Sequence, residues 1–231
     1  RHRTFDLRTL ASLVRIMREV RPALVHTWLY IANLYGGWAA RLACVPALIV
    51  SQRGLGIDPQ HSRFKIWQMR IFNLLIAQFA DRLLVNALAV AHPMWRVGFD
   101  PNRTRVIPNG IQTYPYIPAA QQNALRLELN LREGQILLGA IARIDPKKDL
   151  ATMLRAVARV VQTRPTLRLL IVGGGFPHYL KELEALAQSL KIQRNVDFLG
   201  SRDDPLAVLS LCDVSLLSSL TEGLPNAILE S

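Results

Sequence analysis

The sequence predicts an α/β protein of two domains, each built on a parallel, doubly wound sheet. Short apolar runs alternate with helical segments of crossover length along the 231 residues, a pattern typical of parallel sheets. The alternation is interrupted once, after Asn109-Gly110, by a stretch rich in Tyr and Pro without clear periodicity. Half of the residues are apolar and 19% are charged, so the chain can bury a core.

The first domain is predicted to span residues 1–111. Apolar residues at helical spacing predict a first amphipathic helix that ends near Pro22; they are Leu7, Leu10, Val14 and Met17. Short apolar runs predict strands at residues 23–26, 47–51, 82–86 and 105–108. Longer segments between them predict helices at residues 34–43, 64–78 and 87–97.

Residues 112–122 are predicted to be a linker, and residues 123–231 form the second domain. Its predicted strands are residues 136–142, 167–172, 196–199 and 213–217. Its predicted helices are residues 149–163, 178–190 and 204–211, followed by one that contains Glu230. Two successive α/β domains place a cleft between them, with the carboxyl ends of the strands facing it.

The two ends of the sequence are abrupt. Arg1 leads almost directly into a helix, and Ser231 is expected to fall inside the last one. We therefore expect a fragment of a longer protein, which lacks the start of the first domain and the end of the second. The two cysteines, Cys44 and Cys212, lie far apart outside any metal-ligand pattern and fit a reducing compartment, so we expect a cytoplasmic protein.

Positive charge is concentrated in the first half of the chain. Residues 1–113 contain 15 Lys and Arg against 5 Asp and Glu, whereas residues 114–231 contain 13 against 12. A basic surface of this kind suits an anionic membrane face or a phosphorylated acceptor, although a solvated Arg-rich face explains it equally well. Nucleic acid is not the expected partner, because no aromatic stacking repeat or nucleic-acid-binding signature is present.

Two cations follow the predicted strand 136–142. Arg143 and Lys148 flank a turn that opens a helix. The planar guanidinium of Arg143 and the compact ammonium of Lys148, beside a helix N-terminus, would suit a diphosphate. A solvated surface turn is the alternative, and Lys147 could equally be the relevant lysine. The triple glycine at residues 173–175 does not complete a dinucleotide fingerprint, so we expect a tight strand-to-helix turn that also permits close ligand approach.

The last segment, E-G-L-P-N-A-I-L-E, separates two carboxylates, Glu222 and Glu230, by seven residues. Glu222 follows an apolar stretch and is expected on a turn at the carboxyl end of a strand. Pro225 suits the first turn of a helix, and Glu230 would lie about one and a half turns further along it. The amides of that first turn suit an anionic or hydroxyl-rich ligand, although an ordinary strand–turn–helix is the alternative.

Six segments occur in an order and spacing that resemble one family. They are Arg21-Pro22-x-x-Val25-His26-Thr27, Val106-Ile107-Pro108-Asn109-Gly110-Ile111, Arg143 through Lys148, Val196-x-Phe198-Leu199-Gly200, Cys212-Asp213-Val214 through Ser218, and Glu222-Gly223-Leu224-Pro225-Asn226 through Glu230. Together they resemble the group 1 glycosyltransferases, family GT4, over nearly the whole chain. The resemblance implies the GT-B architecture, in which two Rossmann-like domains face a cleft.

The resemblance also implies roles for the site residues. Arg143 and Lys148 would bind the diphosphate of a nucleotide-sugar donor, Glu222 would contact the sugar beside the reacting carbon, and Glu230 would bind the ribose. Sugar and phosphate would also be held by the segment Gly223, Leu224, Pro225 and Asn226. The family transfers sugar with retention to a glycan or lipid-linked acceptor, as in envelope or exopolysaccharide biosynthesis, and needs no bound metal or cofactor.

The chain departs from the family pattern at three positions. Gln112 replaces an acidic residue, Asp149 replaces a common Gly, and Arg53 stands where many relatives have a His. His26, at a strand end, is expected to be a hydrogen-bonded structural residue, and contact with a ligand in the cleft is the alternative. Two alternatives to transfer stay open: a sugar-nucleotide epimerase of the same architecture, and a non-catalytic relative that only binds nucleotide or a membrane partner.

Overall fold

The structure, a computed structural model, describes residues 6–54, 63–111 and 117–231. Its contacts divide the chain into two compact units. Unit 1 comprises Arg1–Asn109 with Glu222–Leu224, and unit 2 comprises Gly110–Thr221 with Pro225–Ser231. Gln112 and the Tyr/Pro-rich part of the predicted linker lie outside the described residues. The predicted boundaries at residues 111 and 123 stay predictions.

Unit 1 contains a four-stranded parallel sheet in the order β1-β2-β3-β4. Its strands are β1 (Leu24–Trp28), β2 (Ala47–Gln52), β3 (Arg82–Val85) and β4 (Thr104–Val106). Its helices are α1 (Leu7–Val20), α2 (Tyr30–Leu42), α3 (Arg63–Phe79) and α4 (Leu88–Arg96). The core forms around β2 and β3, where Leu48, Val50 and Leu83 are buried. Since parallel strands end at the same edge, the residues after β1 to β4 share one edge of this sheet.

Unit 2 contains a second four-stranded parallel sheet, in the order β7-β6-β5-β8. Its strands are β5 (Leu137–Ile141), β6 (Arg168–Val172), β7 (Val196–Gly200) and β8 (Val214–Ser215). Its helices are α5 (Ala119–Glu128), α6 (Leu150–Val161), α7 (Pro177–Ser189), α8 (Pro205–Leu209) and α9 (Asn226–Leu229). The chain runs from β5 outwards to β7 and then returns to β8 on the other side of β5. Such a reversal marks the usual ligand site of an open α/β sheet.

The predicted α/β class with parallel sheets is confirmed, but α5 was not predicted. The stretch begins inside the predicted linker, and Leu125 is its one buried residue. A helix with so narrow an apolar face gives a weak periodic signal. The signal that could have revealed α5 is composition, because A-A-Q-Q-N-A-L-R-L-E is rich in strong helix formers.

The last helix is shorter than predicted. Helix α9 comprises four residues, with Pro225 as its N-cap and Glu230 as its C-cap. The placement of Pro225 inside the first turn, of Glu230 one and a half turns along the helix, and of Ser231 within it was therefore wrong. A helix of four residues is only about one turn long, so Glu230 lies at its end and not along it.

Candidate functional site

The loop after β5 carries the two predicted diphosphate-binding cations, and Asp145 organises it. The Asp145 carboxylate accepts a hydrogen bond from the Lys147 backbone N–H at 3.0 Å and pairs with the Arg143 guanidinium at 3.0 Å. Asp145 is buried, whereas the Arg143 side chain is 73% exposed. The loop therefore anchors one edge of a guanidinium that still faces solvent. The sequence did contain a sign that Asp145 organises this loop, because the Asp-Pro pair at residues 145 and 146 is typical of a capped turn.

Lys148 ends a short 3-10 helix, Pro146–Lys148, and Asp149 connects it to α6. Asp149 adopts a left-handed backbone, with φ of 45° and ψ of 44°, and caps α6 by accepting from the Thr152 N–H at 3.3 Å. Glycine adopts this conformation without steric penalty. The left-handed conformation thus explains why the resemblance leads one to expect Gly here. Asp also adopts it more readily than most residues, and its side chain adds the cap of α6.

The loop after β8 is tied to the loop after β5. Ser218 donates its hydroxyl hydrogen to the Lys148 carbonyl at 2.8 Å, and the Leu220 N–H donates to the Lys147 carbonyl at 3.0 Å. Strands β5 and β8 are the neighbours across the reversal in unit 2. The two hydrogen bonds therefore fix the loop with both lysines at the edge where this sheet is expected to bind ligands.

The triple glycine forms the predicted tight turn between β6 and α7. Ile144 N–H donates to the Gly174 carbonyl, and Phe176 N–H donates back to the Ile144 carbonyl, both at 2.9 Å. A Cβ at Gly173 would collide with the Ala142 carbonyl oxygen, and one at Gly175 would collide with the Ile144 carbonyl oxygen. These glycines therefore allow the turn to pack directly on the backbone that leads to Arg143.

The E-G-L-P-N segment contributes to both units. Glu222, Gly223 and Leu224 group with unit 1, whereas Pro225, Asn226 and Glu230 belong to unit 2 with Arg143 and Lys148. Within unit 1, a Cβ at Gly223 would collide with the Arg53 carbonyl oxygen, so this position needs glycine. Glu222 and Glu230 are both partly buried. The structure brings Arg143 and Lys148 together on one loop and places Glu230 at the end of α9.

In unit 1, a cluster of polar side chains follows the strand ends. His26 Nε2 lies 2.7 Å from Ser51 Oγ. The Arg53 guanidinium lies over the Trp28 ring, 4.4 Å from its centroid, and donates to Asn109 Oδ1 at 2.6 Å. Burial and then the positive charge of Arg53 lower the pKa of His26. His26 is therefore hydrogen-bonded, as expected, and the cation of this cluster is Arg53.

Among the described residues, two buried side-chain oxygens have no hydrogen-bond partner, and both follow strand ends. Asn86 Oδ1 comes directly after β3, and Ser219 Oγ lies in the loop after β8. Unpaired buried polar atoms are uncommon and often mark functional positions. Each unit therefore has one such atom at the carboxyl edge of its sheet.

Two features are absent from the described ranges, residues 6–54, 63–111 and 117–231. No group of three or more His, Cys, Asp or Glu in them is placed to hold a metal ion. None of their helices is long and apolar enough to cross a membrane.

Comparison with known families gives two matches that together span nearly the whole chain. The family model described as “Glycosyltransferase Family 4” matches residues 1–114. The model described as “Glycosyl transferases group 1” matches residues 121–231. The boundary between the matches falls next to the Tyr/Pro-rich stretch.

Curated relatives resemble the chain over most of its length. The UDP-Gal:alpha-D-GlcNAc-diphosphoundecaprenol alpha-1,3-galactosyltransferase of Escherichia coli is 26% identical over 98% of this chain and 59% of its own length. The D-inositol 3-phosphate glycosyltransferase of Rhodococcus erythropolis is 30% identical over 86% of this chain and 46% of its own. The chain thus spans well under two thirds of the length of either relative.

Solved structures share the fold. HepE of Anabaena in complex with UDP superimposes with a TM-score of 0.81 at 23% identity, over 96% of this chain and 59% of that one. HepE in complex with UDP-glucose gives a TM-score of 0.75 at 25% identity, over 91% and 56% of the two chains. Sucrose-phosphate synthase of Thermosynechococcus elongatus gives 0.79 at 23% identity, over 96% and 56%.

Proposed function

The chain belongs to the group 1 glycosyltransferases of family GT4, which have the GT-B fold, and from this premise we propose that the protein transfers a sugar from a nucleoside-diphosphate donor. The observation that carries the proposal is the tie between the loops after β5 and β8. It fixes the backbone of Lys148, five residues after Arg143 on the same loop, at the reversal of a parallel sheet. A diphosphate carries the charge that this loop complements.

The donor is proposed to be a nucleotide sugar such as UDP-glucose, the ligand in the 25% identical HepE complex. Arg143 can bind two phosphate oxygens through its planar fork, and Lys148 adds a compact positive charge. Glu230 accepts from the ribose hydroxyls. The backbone amides of Gly223, Leu224 and Asn226 hold sugar and phosphate, and Pro225 shapes that turn. No step in this proposal uses a metal or a cofactor.

Glu222 is the proposed catalytic residue. The bond from the anomeric carbon to the diphosphate breaks, and a bond from that carbon to an acceptor hydroxyl oxygen forms on the same face, with retention. The hydroxyl proton passes to an oxygen of the departing diphosphate. Glu222 holds the sugar hydroxyls where positive charge develops. Arg143 and Lys148 stabilise the negative charge on the departing diphosphate. Because both cations are in place before the bond breaks, this stabilisation requires no reorganisation during the reaction.

The acceptor is proposed to be a phosphorylated glycan or lipid-linked sugar of envelope or exopolysaccharide biosynthesis. Two relatives carry names with phosphorylated acceptors, a diphosphoundecaprenol-linked sugar and inositol 3-phosphate. Their acceptors fit the basic first half of this chain, which has 15 Lys and Arg against 5 Asp and Glu. The same charge would hold the protein at the cytoplasmic face of an anionic membrane, and salt should weaken that binding.

Product analysis with the full-length protein and a donor labelled in its sugar tests the proposal. Transfer of label to an acceptor, continuing in excess EDTA, is the expected result. An epimerase would change the sugar nucleotide without an acceptor, and a non-catalytic relative would bind UDP without turnover. Loss of transfer in EDTA, with recovery on adding one divalent ion, would contradict the metal-free account.

A further inference from the structure

We propose that Arg53 is the anion-binding residue of the acceptor site in unit 1, and that it binds the phosphoryl group of a phosphorylated acceptor. The inference rests on the proposed function and assigns the phosphate of its acceptor to one side chain. Arg53 follows β2, one of the two central strands of the unit 1 sheet. Carboxyl ends of parallel strands are where open α/β sheets bind ligands.

Neutral groups hold the guanidinium of Arg53. It lies 4.4 Å from the Trp28 ring centroid and donates one Nη1 hydrogen to Asn109 Oδ1. An aromatic face and an amide oxygen orient a guanidinium without cancelling its charge. The remaining N–H donors keep the planar geometry that fits two phosphate oxygens.

Three other partly buried arginines pair with carboxylates. The Arg41 guanidinium contacts Asp81, that of Arg168 contacts Asp197, and that of Arg202 contacts Asp204. Among the described residues, no ion pair includes Arg53. A partly buried cation without a carboxylate partner keeps its full positive charge available to an incoming anion.

The neighbours of Arg53 leave its charge uncancelled and hold its backbone. His26 Nε2 lies 2.7 Å from Ser51 Oγ, and burial and then the positive charge of Arg53 lower the pKa of the His26 ring, which favours its neutral form. The Arg53 carbonyl oxygen packs against Gly223, and the Asn86 amide nitrogen lies 3.4 Å from it. The backbone of Arg53 is therefore fixed, so a bound phosphoryl group would meet a positioned guanidinium.

Inorganic phosphate is the probe, titrated calorimetrically into full-length protein saturated with UDP, so that nucleotide occupies the Arg143 and Lys148 loop. Arg53→Gln should weaken phosphate binding about ten-fold or more, and Arg53→Lys should recover part of the loss. Trp28→Leu, which removes the stacking but leaves the charge, should weaken it less. The matched control is Arg82→Gln, which removes the same charge from the exposed first residue of β3, at the opposite edge of the sheet.

UDP affinity, measured on the same samples, separates the possible failures. If Arg53→Gln binds UDP as tightly as the wild type does, the variant is folded. The phosphate whose binding it weakens is then assigned to the acceptor site and not to the donor site. A matching loss of UDP affinity would instead assign the anion to the donor and overturn the inference. Absence of phosphate binding, or equal losses in Arg53→Gln and Arg82→Gln, would overturn it too. Wild-type protein that bound no UDP would contradict the proposed function itself.

Discussion

Ser218 Oγ donates a hydrogen bond to the Lys148 carbonyl oxygen over 2.8 Å, although 70 residues separate the two in sequence. The bond is possible because β5 and β8 are neighbours, so the loops that follow them meet. The Leu220 N–H adds a second bond, to the Lys147 carbonyl. The position of the Lys148 backbone therefore depends on a hydroxyl from the other end of unit 2.

Replacing Ser218 with Ala should remove that tie. Unfolding free energy should fall by about 1 kcal/mol, and UDP affinity should fall because Lys148 loses its support. Urea unfolding and calorimetry measure the two effects. Ser210→Ala is the control, since Ser210 donates a bond of equal length, 2.8 Å, to Ala207 within its own helical turn. Equal UDP affinities in the two variants would show that the tie does not position Lys148.

Arg143→Ala and Lys148→Ala should each weaken UDP binding by the full-length protein about ten-fold or more, because a charge-assisted hydrogen bond contributes about 1.5–3 kcal/mol. Lys147→Ala is the matched comparison, since it removes the same charge from the adjacent, exposed position. Calorimetry should show a smaller loss for Lys147. A larger loss there would assign the diphosphate to Lys147, and unchanged affinity in all three variants would refute the diphosphate site.

Glu222→Gln and Glu230→Gln should fail in different ways. An interaction stronger in the transition state acts on kcat, so Glu222→Gln should lower turnover with a smaller effect on UDP affinity. Glu230→Gln should weaken donor and free UDP alike, since ribose is remote from the reacting carbon. Steady-state kinetics with UDP calorimetry separates the patterns. If Glu230→Gln abolished turnover but left UDP affinity intact, the division of roles would be incorrect.

Asp149 both occupies a left-handed conformation and caps α6, so three substitutions separate the contributions. Asp149→Ala loses the cap and keeps the strain, and we expect about 1–3 kcal/mol of destabilisation in urea unfolding. Asp149→Gly should cost less because it relieves the strain, and Asp149→Asn should be nearly neutral. Asp203→Ala, at an exposed Asp of unit 2, is the control. Equal losses in the Ala and Gly variants would mean that φ does not matter there.

Much of the fold was predictable because periodicity reports burial. Every predicted strand overlaps an observed one. Strand β2 is an example, because its apolar residues Leu48 and Val50 are buried in the core of unit 1. Helix α5 was missed because Leu125 alone is fully buried in it. The helical position of Glu230 was wrong because a motif shows spacing but does not show where a short helix ends.

The sequence by itself determined the α/β class, the succession of elements and the family, since these follow from apolar periodicity and from residue types at set spacings. Only the tertiary structure decided that β8 returns beside β5, and hence that Ser218 supports Lys148. It likewise decided that Trp28 and Asn109 hold Arg53. The physical reason is that strand order and the close approach of distant loops depend on how sheets pack, and local patterns in a sequence do not record which strands become neighbours.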